Sequence, residues 1–382
     1  MYYNRKIRSL SKIIYLSMKS IIYKATMLFF FFFILLVLAI FFLAKENSHR
    51  SYYKGSVTDH FNGENFYNLK KNDTKTNDKV VLNYLKNKLL GRGADWPNKI
   101  EVKQIHPSKI LDVNDEVIFF VNHATTLIKT SNYNILTDPI WSDYASPVKF
   151  LGPIRRATAG IKFEDLPEID VVLISHNHYD HLDSYTIKML IKNHDPVFIV
   201  GLGVGGTLLQ IGVKKEKIIE LDWWENFHHK GNVAPKDNVL EISFVPAQHF
   251  SSRFFDDKNT TLWGAFTIKS SSRTIYFAGD TGYDSEQFSQ IRKKIGKIDV
   301  SLLPIGAYKP DSFRYVHMNP DEAVKASIIL GSSSNIPIHY GTFILSFENY
   351  DDPINDLYLS LKNNNLPKDR FTVLKNGEYS TK

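Results

Sequence analysis

Val171-Val-Leu-Ile-Ser-His-Asn-His-Tyr-Asp-His181 is the stretch whose reading decides the fold. The apolar run over residues 171–174 reads as a short buried strand. It stops at His176, His178, Asp180 and His181, four side chains of metal-ligand type in six positions. In an extended loop His176 and His178 share a face, because side chains two apart do, while Asp180 and His181 turn toward a neighbouring position. That arrangement suits two metal ions. The competing reading is an ordinary polar surface loop, and the density of ligand types directly behind a buried strand outweighs it. Imidazole and carboxylate suit zinc. The chain has no Cys, so a thiolate zinc finger is excluded.

The 382 residues, 43% hydrophobic, are enough for one large domain or two small ones. A formal net charge of +7 looks like a call for nucleic acid. Residues 1–26, however, hold Arg5, Lys6, Arg8, Lys12, Lys19 and Lys24 and no acid, so the rest is nearly neutral and lacks the phosphate contacts that nucleic acid needs. Residues 27–44 are apolar throughout; as a helix they reach about 27 Å, close to the ~30 Å hydrocarbon core. They read as a transmembrane anchor. A cleaved signal peptide competes, but the basic region is long and Phe42 stands where a small residue is wanted before Ala44. The positive-inside rule then puts the N-terminus in the cytoplasm and the remainder on the opposite side.

Residues 45–78 are polar and read as a linker, partly ordered against the domain. Residues 80–90 have helical spacing and end at Gly91, which starts the folded domain near 79 and runs it to 382. Strands are expected over 116–121, 125–130 and 134–137, then over 197–200, 217–221, 239–245, 263–269 and 274–278. Asp183 reads as a helix cap. Asn319 and Pro320 open a helix through Leu330. The Gly-rich run 201–206 lacks the dinucleotide spacing and reads as a tight turn into a helix. His123 and Asp138 sit at strand ends; by themselves they are a hydrogen-bonded His and a turn-forming Asp.

The His-x-His-x-Asp-His string resembles the signature of the metallo-β-lactamase fold. That resemblance implies three more ligands at strand ends. Candidates stand in Phe244-Val-Pro-Ala-Gln-His-Phe250, Ile275-Tyr-Phe-Ala-Gly-Asp-Thr-Gly282 and Ile338-His-Tyr-Gly-Thr-Phe343. One zinc would be held by His176, His178 and His249, and the other by Asp180, His181 and His339, with Asp280 bridging. His at position 178 is in line with zinc, where di-iron relatives carry Glu. The implied fold is α/β, a four-layer αββα sandwich, here preceded by one N-terminal transmembrane helix.

Within that superfamily Leu136-Thr-Asp-Pro-Ile140, Glu220-Leu-Asp-Trp-Trp-Glu225, Leu262-Trp-Gly264 and Pro304-Ile-Gly-Ala-Tyr308 resemble the N-acylphosphatidylethanolamine-hydrolysing phospholipases D. The likeness runs from about residue 90 to the C-terminus. It implies metal-assisted hydrolysis of a membrane phospholipid to N-acylethanolamine and phosphatidic acid. Asp180, Asp280 and His317 would form the catalytic set, Tyr179 and His317 would contact the substrate, and His123 and Asp138 would support the ligands. Val316 and Asn122 depart from the usual Gln and Gly, which puts substrate contacts in question. Relatives dimerise, so a homodimer is expected by analogy. A lactonase or ester hydrolase of the same fold would use the same ligands, and a membrane-tethered binding protein is the non-enzymatic alternative.

Overall fold

The computed structural model describes residues 2–70, 94–112, 116–230 and 239–381. The chain divides into two units, Met1–Ser48 and His49–Lys382. Helix α1 (Tyr2–Asn47) makes up the first, and within it Tyr15–Asn47 is long and apolar enough to cross a membrane. The helix runs past both ends of residues 27–44 because no Gly or Pro occurs between residues 2 and 47 to stop it.

The second unit is built on two mixed sheets. One contains β1 (Val117–Asn122), β2 (Thr125–Thr130), β3 (Tyr133–Thr137), β4 (Val171–Ile174), β5 (Val197–Gly201) and β6 (Ile218–Leu221) in that order. The short C-terminal strand Tyr379–Ser380 closes its β1 edge. The other contains β7 (Asn226–His229), β8 (Leu240–Val245), β9 (Ala265–Lys269), β10 (Thr274–Phe277), β11 (Val300–Pro304) and β12 (Ser334–Ile338). Each sheet is an antiparallel meander that turns parallel partway: β3 to β6 run parallel, as do β10 to β12.

Residue alternation assigns the faces of the first sheet. Ile118, Phe120, Ile135, Val171 and Leu173 pack into one core with Ile242, Phe244, Phe266, Ile268 and Phe277 of the second sheet. Val117, Phe119, Leu136, Val172 and Ile174 face the other way, against Ile187 and Leu190 of α2 (Ser184–Asn193) and Leu208 of α3 (Val204–Ile211). Helices α4 (Ser285–Ile295), α5 (Pro320–Leu330) and α6 (Asp352–Asn363) add Phe288, Val324 and Leu357 to the core of the second sheet. This is the αββα order. Asp183 caps α2 by accepting from Tyr185 and Thr186 N–H, and Asn319 with Glu322 forms a capping box on α5. The Gly-rich run is the turn into α3, with Gly203 at φ 84°.

Strand directions place the chemistry. Counting antiparallel steps from β1 and from β8, strands β1, β3 and β4 point one way within their sheet, as do β8, β10 and β12 within theirs. Their carboxyl ends lead directly into His123, Asp138, the 176–181 loop, His249, Asp280 and His339. The two rims are tied together where His339 N–H donates to His123 O at 2.8 Å.

Within the stretch read as a linker, residues up to 70 are ordered. Helix α1 continues to Asn47, and residues 49–70 belong to the folded unit. Phe61 and Phe66 are buried in the inter-sheet core at 0% and 1% exposure, and Tyr53 N–H and Phe66 N–H donate to Thr260 O and Asn259 O. Their wide spacing matches neither a helix nor a strand period, so the pattern carries no signal. The helix expected over 80–90, and the domain start near 79, lie outside the described residues.

His60 ties this segment down. Its ring stacks on Trp223 at 4.3 Å, and Nε2 lies 2.7 Å from Asp222 Oδ1. Burial works to lower its pKa, but the hydrogen bonds to Asp222 and the largely exposed Asp59 outweigh burial and raise it. The interaction therefore stabilises fully below the ordinary value of 6.5 and is lost as pH rises through the raised one. His60→Ala is expected to cost about 2 kcal/mol at acid to neutral pH. In thermal unfolding of both proteins from about pH 6 to about pH 9, the gap in Tm should narrow with rising pH; a gap that widens would refute the pairing.

Candidate metal centre

Two of the ligand candidates, His181 and His176, hang from a buried carboxylate. Asp138, at 0% exposure and φ 33°, accepts from Ser175 N–H at 2.7 Å, from Ser175 Oγ at 2.6 Å and from His181 Nδ1 at 2.6 Å. With its proton given to Asp138, Ser175 Oγ accepts from His176 Nδ1 at 2.9 Å. His249 Nδ1 donates to Val316 O at 2.9 Å, and a carbonyl can only accept. In His176 and His249 the second nitrogen is thus left with a bare lone pair turned inward.

The first group joins three rings. His176 Nε2 and His178 Nδ1 are 2.8 Å apart, and His249 Nε2 lies 3.3 Å from His178 Nδ1. Tetrahedral ligands on bonds of about 2.0–2.1 Å stand about 3.3 Å apart, which the His178–His249 spacing matches, while His176 and His178 stand closer, at hydrogen-bond distance. Burial pushes His176 and His249 well below the ordinary imidazole value, and neighbouring imidazoles add to it. Burial also brings His178 down to about 4 against the pull of Asp180. These rings are neutral near pH 7, the form that binds metal.

The second group is Asp180, His181 and His339, with His123 alongside. Asp180 Oδ2 lies 3.3 Å from His181 Nε2, 3.4 Å from His339 Nε2 and 3.0 Å from His123 Nε2. Asp280 Oδ2 stands between the groups, 3.2 Å from His181 Nε2, 3.1 Å from His339 Nε2 and 3.8 Å from His249 Nε2. Burial alone would raise both carboxylates, but His181 and the other rings around them hold both well below the usual range. Conversely, burial would lower His339, yet Asp280 and Asp180 push it up to about 9. These carboxylates demand positive charge beside them. Asp280 Oδ1 is buried without a hydrogen-bond partner among the described residues, which costs a few kcal/mol unless a cation meets it. The donor set fits metal ions.

Backbone shape holds the rim. His123, Asp138 and His339 all have positive φ, between 33° and 61°, which a non-Gly residue adopts at a cost of about 1–3 kcal/mol. Gly279, before Asp280, has φ 55°, and a Cβ there would lie 2.4 Å from Ser175 Cβ, so only Gly lets Asp280 approach the motif strand.

The substrate candidates lie at the edge. His317 Nδ1 is 3.6 Å from Asp280 Oδ2, and its side chain is 15% exposed where the ligand histidines 181, 249 and 339 are closed off. Burial, opposed by Asp280, lowers it to about 4. The Tyr179 hydroxyl donates to Arg253 O at 2.7 Å, and burial raises it to about 12. Asn122 is fully buried and bonded to Ile140 O and Arg155. Val316 acts through its carbonyl, so the loss of Gln there leaves the support of His249 intact.

Several residues went unread in the sequence. Ser175 is one. Arg253 is another: its buried guanidinium donates to Asn177 O at 2.7 Å, Leu182 O at 3.0 Å and Ser184 Oγ at 3.1 Å, threading the ligand loop, and lies 4.1 Å from the Tyr179 ring centre. A single Arg four positions after His249 carries no recognisable pattern.

A family model described as "Beta-lactamase superfamily domain" matches residues 133–340. The chain is 40% identical over 252 residues to an uncharacterized protein of Mycobacterium tuberculosis, covering 64% of either chain. It is 34% identical over 236 residues to the N-acyl-phosphatidylethanolamine-hydrolyzing phospholipase D 1 of Caenorhabditis elegans, covering 60% of this chain and 65% of that one. The corresponding mitochondrial protein of Saccharomyces cerevisiae is 36% identical over 240 residues, covering 60% and 50%. The chain thus spans less than two thirds of the length of these relatives. Among solved structures, a metallo hydrolase from Ignicoccus hospitalis superposes with a TM-score of 0.50 at 21% identity, covering 69% of this chain and 97% of that one. The isothiocyanate hydrolase from Delia radicum gut bacteria does so at 0.53 and 16%, covering 69% and 98%. At these identities the likeness is one of fold.

Two substitutions test the centre. Asp280→Asn is expected to lose bound metal outright, because its oxygen faces both groups. Asp138→Asn removes a charge that holds His181 and is expected to weaken metal binding roughly 10–100-fold. Metal content after dialysis against a graded chelator measures both, and unchanged retention in Asp280→Asn would overturn the assignment.

Proposed function

We propose that this chain, which belongs to the beta-lactamase superfamily, is a zinc-dependent phosphodiester hydrolase of phospholipase D type. Its substrate would be N-acylphosphatidylethanolamine in a membrane and its products N-acylethanolamine and phosphatidic acid. The observation that carries this reading is the two ligand groups meeting at Asp280 with His317 at their open edge, in a chain about 35% identical to two relatives named for that reaction.

His176, His178 and His249 would hold one zinc, and Asp180, His181 and His339 the other, with Asp280 between them. Zinc bound there would supply positive charge for a phosphoryl group and lower the pKa of water. The protein's part is positional. Asp138 and Val316 O set the ring orientations. Asp180 and Asp280 remain ionised. His317, neutral near pH 7 and reachable from solvent, offers a hydrogen bond to a phosphoryl or leaving-group oxygen. Tyr179, between His178 and Asp180 in the motif, would offer its ring and an oxygen that still accepts.

Helix α1 supports a lipid substrate, since a chain held at a bilayer works where the lipid is. The six basic residues between positions 5 and 24, on the N-terminal side of the apolar stretch 27–44, would place the N-terminus in the cytoplasm and the hydrolase unit on the other side.

Purified full-length protein is expected to hold two zinc ions per chain and to release phosphatidic acid and N-acylethanolamine from mixed phospholipids, read by mass spectrometry. His317→Ala should slow turnover about 10²–10⁴-fold with zinc content unchanged. Zinc-loaded protein that opens lactones or simple esters and cleaves no phosphodiester lipid would refute the substrate class. For topology, a C-terminal tag should be digested by protease added on the non-cytoplasmic side; digestion only from the cytoplasm would reverse the orientation.

A further inference from the structure

His249 lies beyond the end of β8, where the chain has left the sheet, and it is 1% exposed. A buried residue in that position has a backbone N–H and C=O with no ladder to join, and leaving either unpaired is costly. Both are met by one side chain. Asn68 Nδ2 donates to His249 O at 2.8 Å, and His249 N–H donates to Asn68 Oδ1 at 3.1 Å. Trp263 Nε1 also donates to Asn68 Oδ1, at 3.1 Å. Two donors reaching Oδ1 and a carbonyl facing Nδ2 leave only one orientation for the amide. The pairing imitates a neighbouring strand: a primary amide supplies the donor and the acceptor that a strand residue would offer.

The surroundings make this a fixed point. Gln248, one residue earlier, is paired to the turn after Asp280 through Gln248 N–H to Thr281 Oγ1 and Gly282 N–H to Gln248 O. The His249 ring is held by Val316 O. Asn68 holds the backbone between these two grips. It belongs to residues 49–70, the segment that follows the apolar helix, which packs on the unit through Phe61, Phe66 and His60.

We propose that Asn68 is a positioning residue of the metal centre: by pairing with the backbone of His249 it sets where Nε2 stands, so that the segment joining the apolar helix to the sandwich completes the His176, His178 and His249 site. The inference rests on the metal reading proposed above. Ligands need placement to within about 0.5 Å, and supporting partners of a ligand are each worth about 10–100-fold in metal affinity. A sandwich beginning after residue 70 would lack this support.

Asn68→Leu keeps the number and branching of side-chain heavy atoms and removes all three hydrogen bonds. His60→Ala loosens the same segment eight residues away and touches no ligand. Both are made in the full-length chain, and zinc affinity is measured by chelator competition, with the visible absorption of the cobalt-substituted protein reporting coordination geometry. Asn68→Leu is expected to lose 10–100-fold in zinc affinity and to shift the cobalt spectrum, while His60→Ala lowers Tm with affinity and spectrum unchanged. Wild-type affinity and spectrum in Asn68→Leu would overturn the inference. So would equal metal loss in both variants in step with their Tm, since Asn68 would then serve stability alone. Wild-type protein that binds neither zinc nor cobalt would refute the metal centre itself, a different result from either.

Discussion

A carboxylate buried beneath the metal loop is the constraint from which the centre follows. Asp138 accepts from a backbone N–H, a hydroxyl and an imidazole at once, and a buried charge is tolerable only when so many donors meet it. The same contacts fix which nitrogen of His181 carries a proton, and through Ser175 they fix His176 as well. His181 and His176, and His249 through Val316 O, are therefore oriented by hydrogen bonds made on the side away from the candidate centre. A centre built from neutral rings and ionised carboxylates packed this tightly is poised for cations, because among the described residues Asp180 and Asp280 are met by histidines, chiefly His181 and His339.

The fold's contribution is to bring strand ends together. Each sheet turns from antiparallel to parallel partway across, so several strands in each end on one rim. The rims meet through His339 and His123, whose positive φ values let the chain turn sharply as it leaves β12 and β1. Strain of this kind persists because the packed sheets on either side over-determine the turn. The candidate ligands thus stand just past the ends of rigid strands, while His317 comes from a loop between elements, suited to meeting a substrate.

Two cross-braces show how far the centre's support extends beyond its ligands. Arg253 fills the inside of the 176–184 loop with donors to two carbonyls and a hydroxyl. Asn68 grips His249 from a segment more than a hundred residues earlier in the chain. Chain distance is irrelevant to either, since each answers an unpaired backbone group that the turn at a strand end creates.

The sequence by itself determined the local elements and the kinds of donor. The buried strand at 171–174 with its dense ligand string, the capped helices after Asp183 and Asn319, and the apolar helix near the N-terminus were all legible, because propensity, capping and periodicity act over a few residues. The downstream candidates His249, Asp280 and His339 came from likeness to a family, not from spacing. Edge strand β7 and helices α4 and α6 were not called, their apolar positions being too few or too interrupted to stand out. What only the tertiary structure decided was partnership. Asn122 pairs with Arg155, the Tyr179 proton goes to Arg253 O, and Phe61, Phe66 and Asn68 join the core from a stretch that reads as polar linker. The physical reason is that a hydrogen bond or an aromatic anchor between distant segments leaves no period in the chain. It exists only once both backbones are in place.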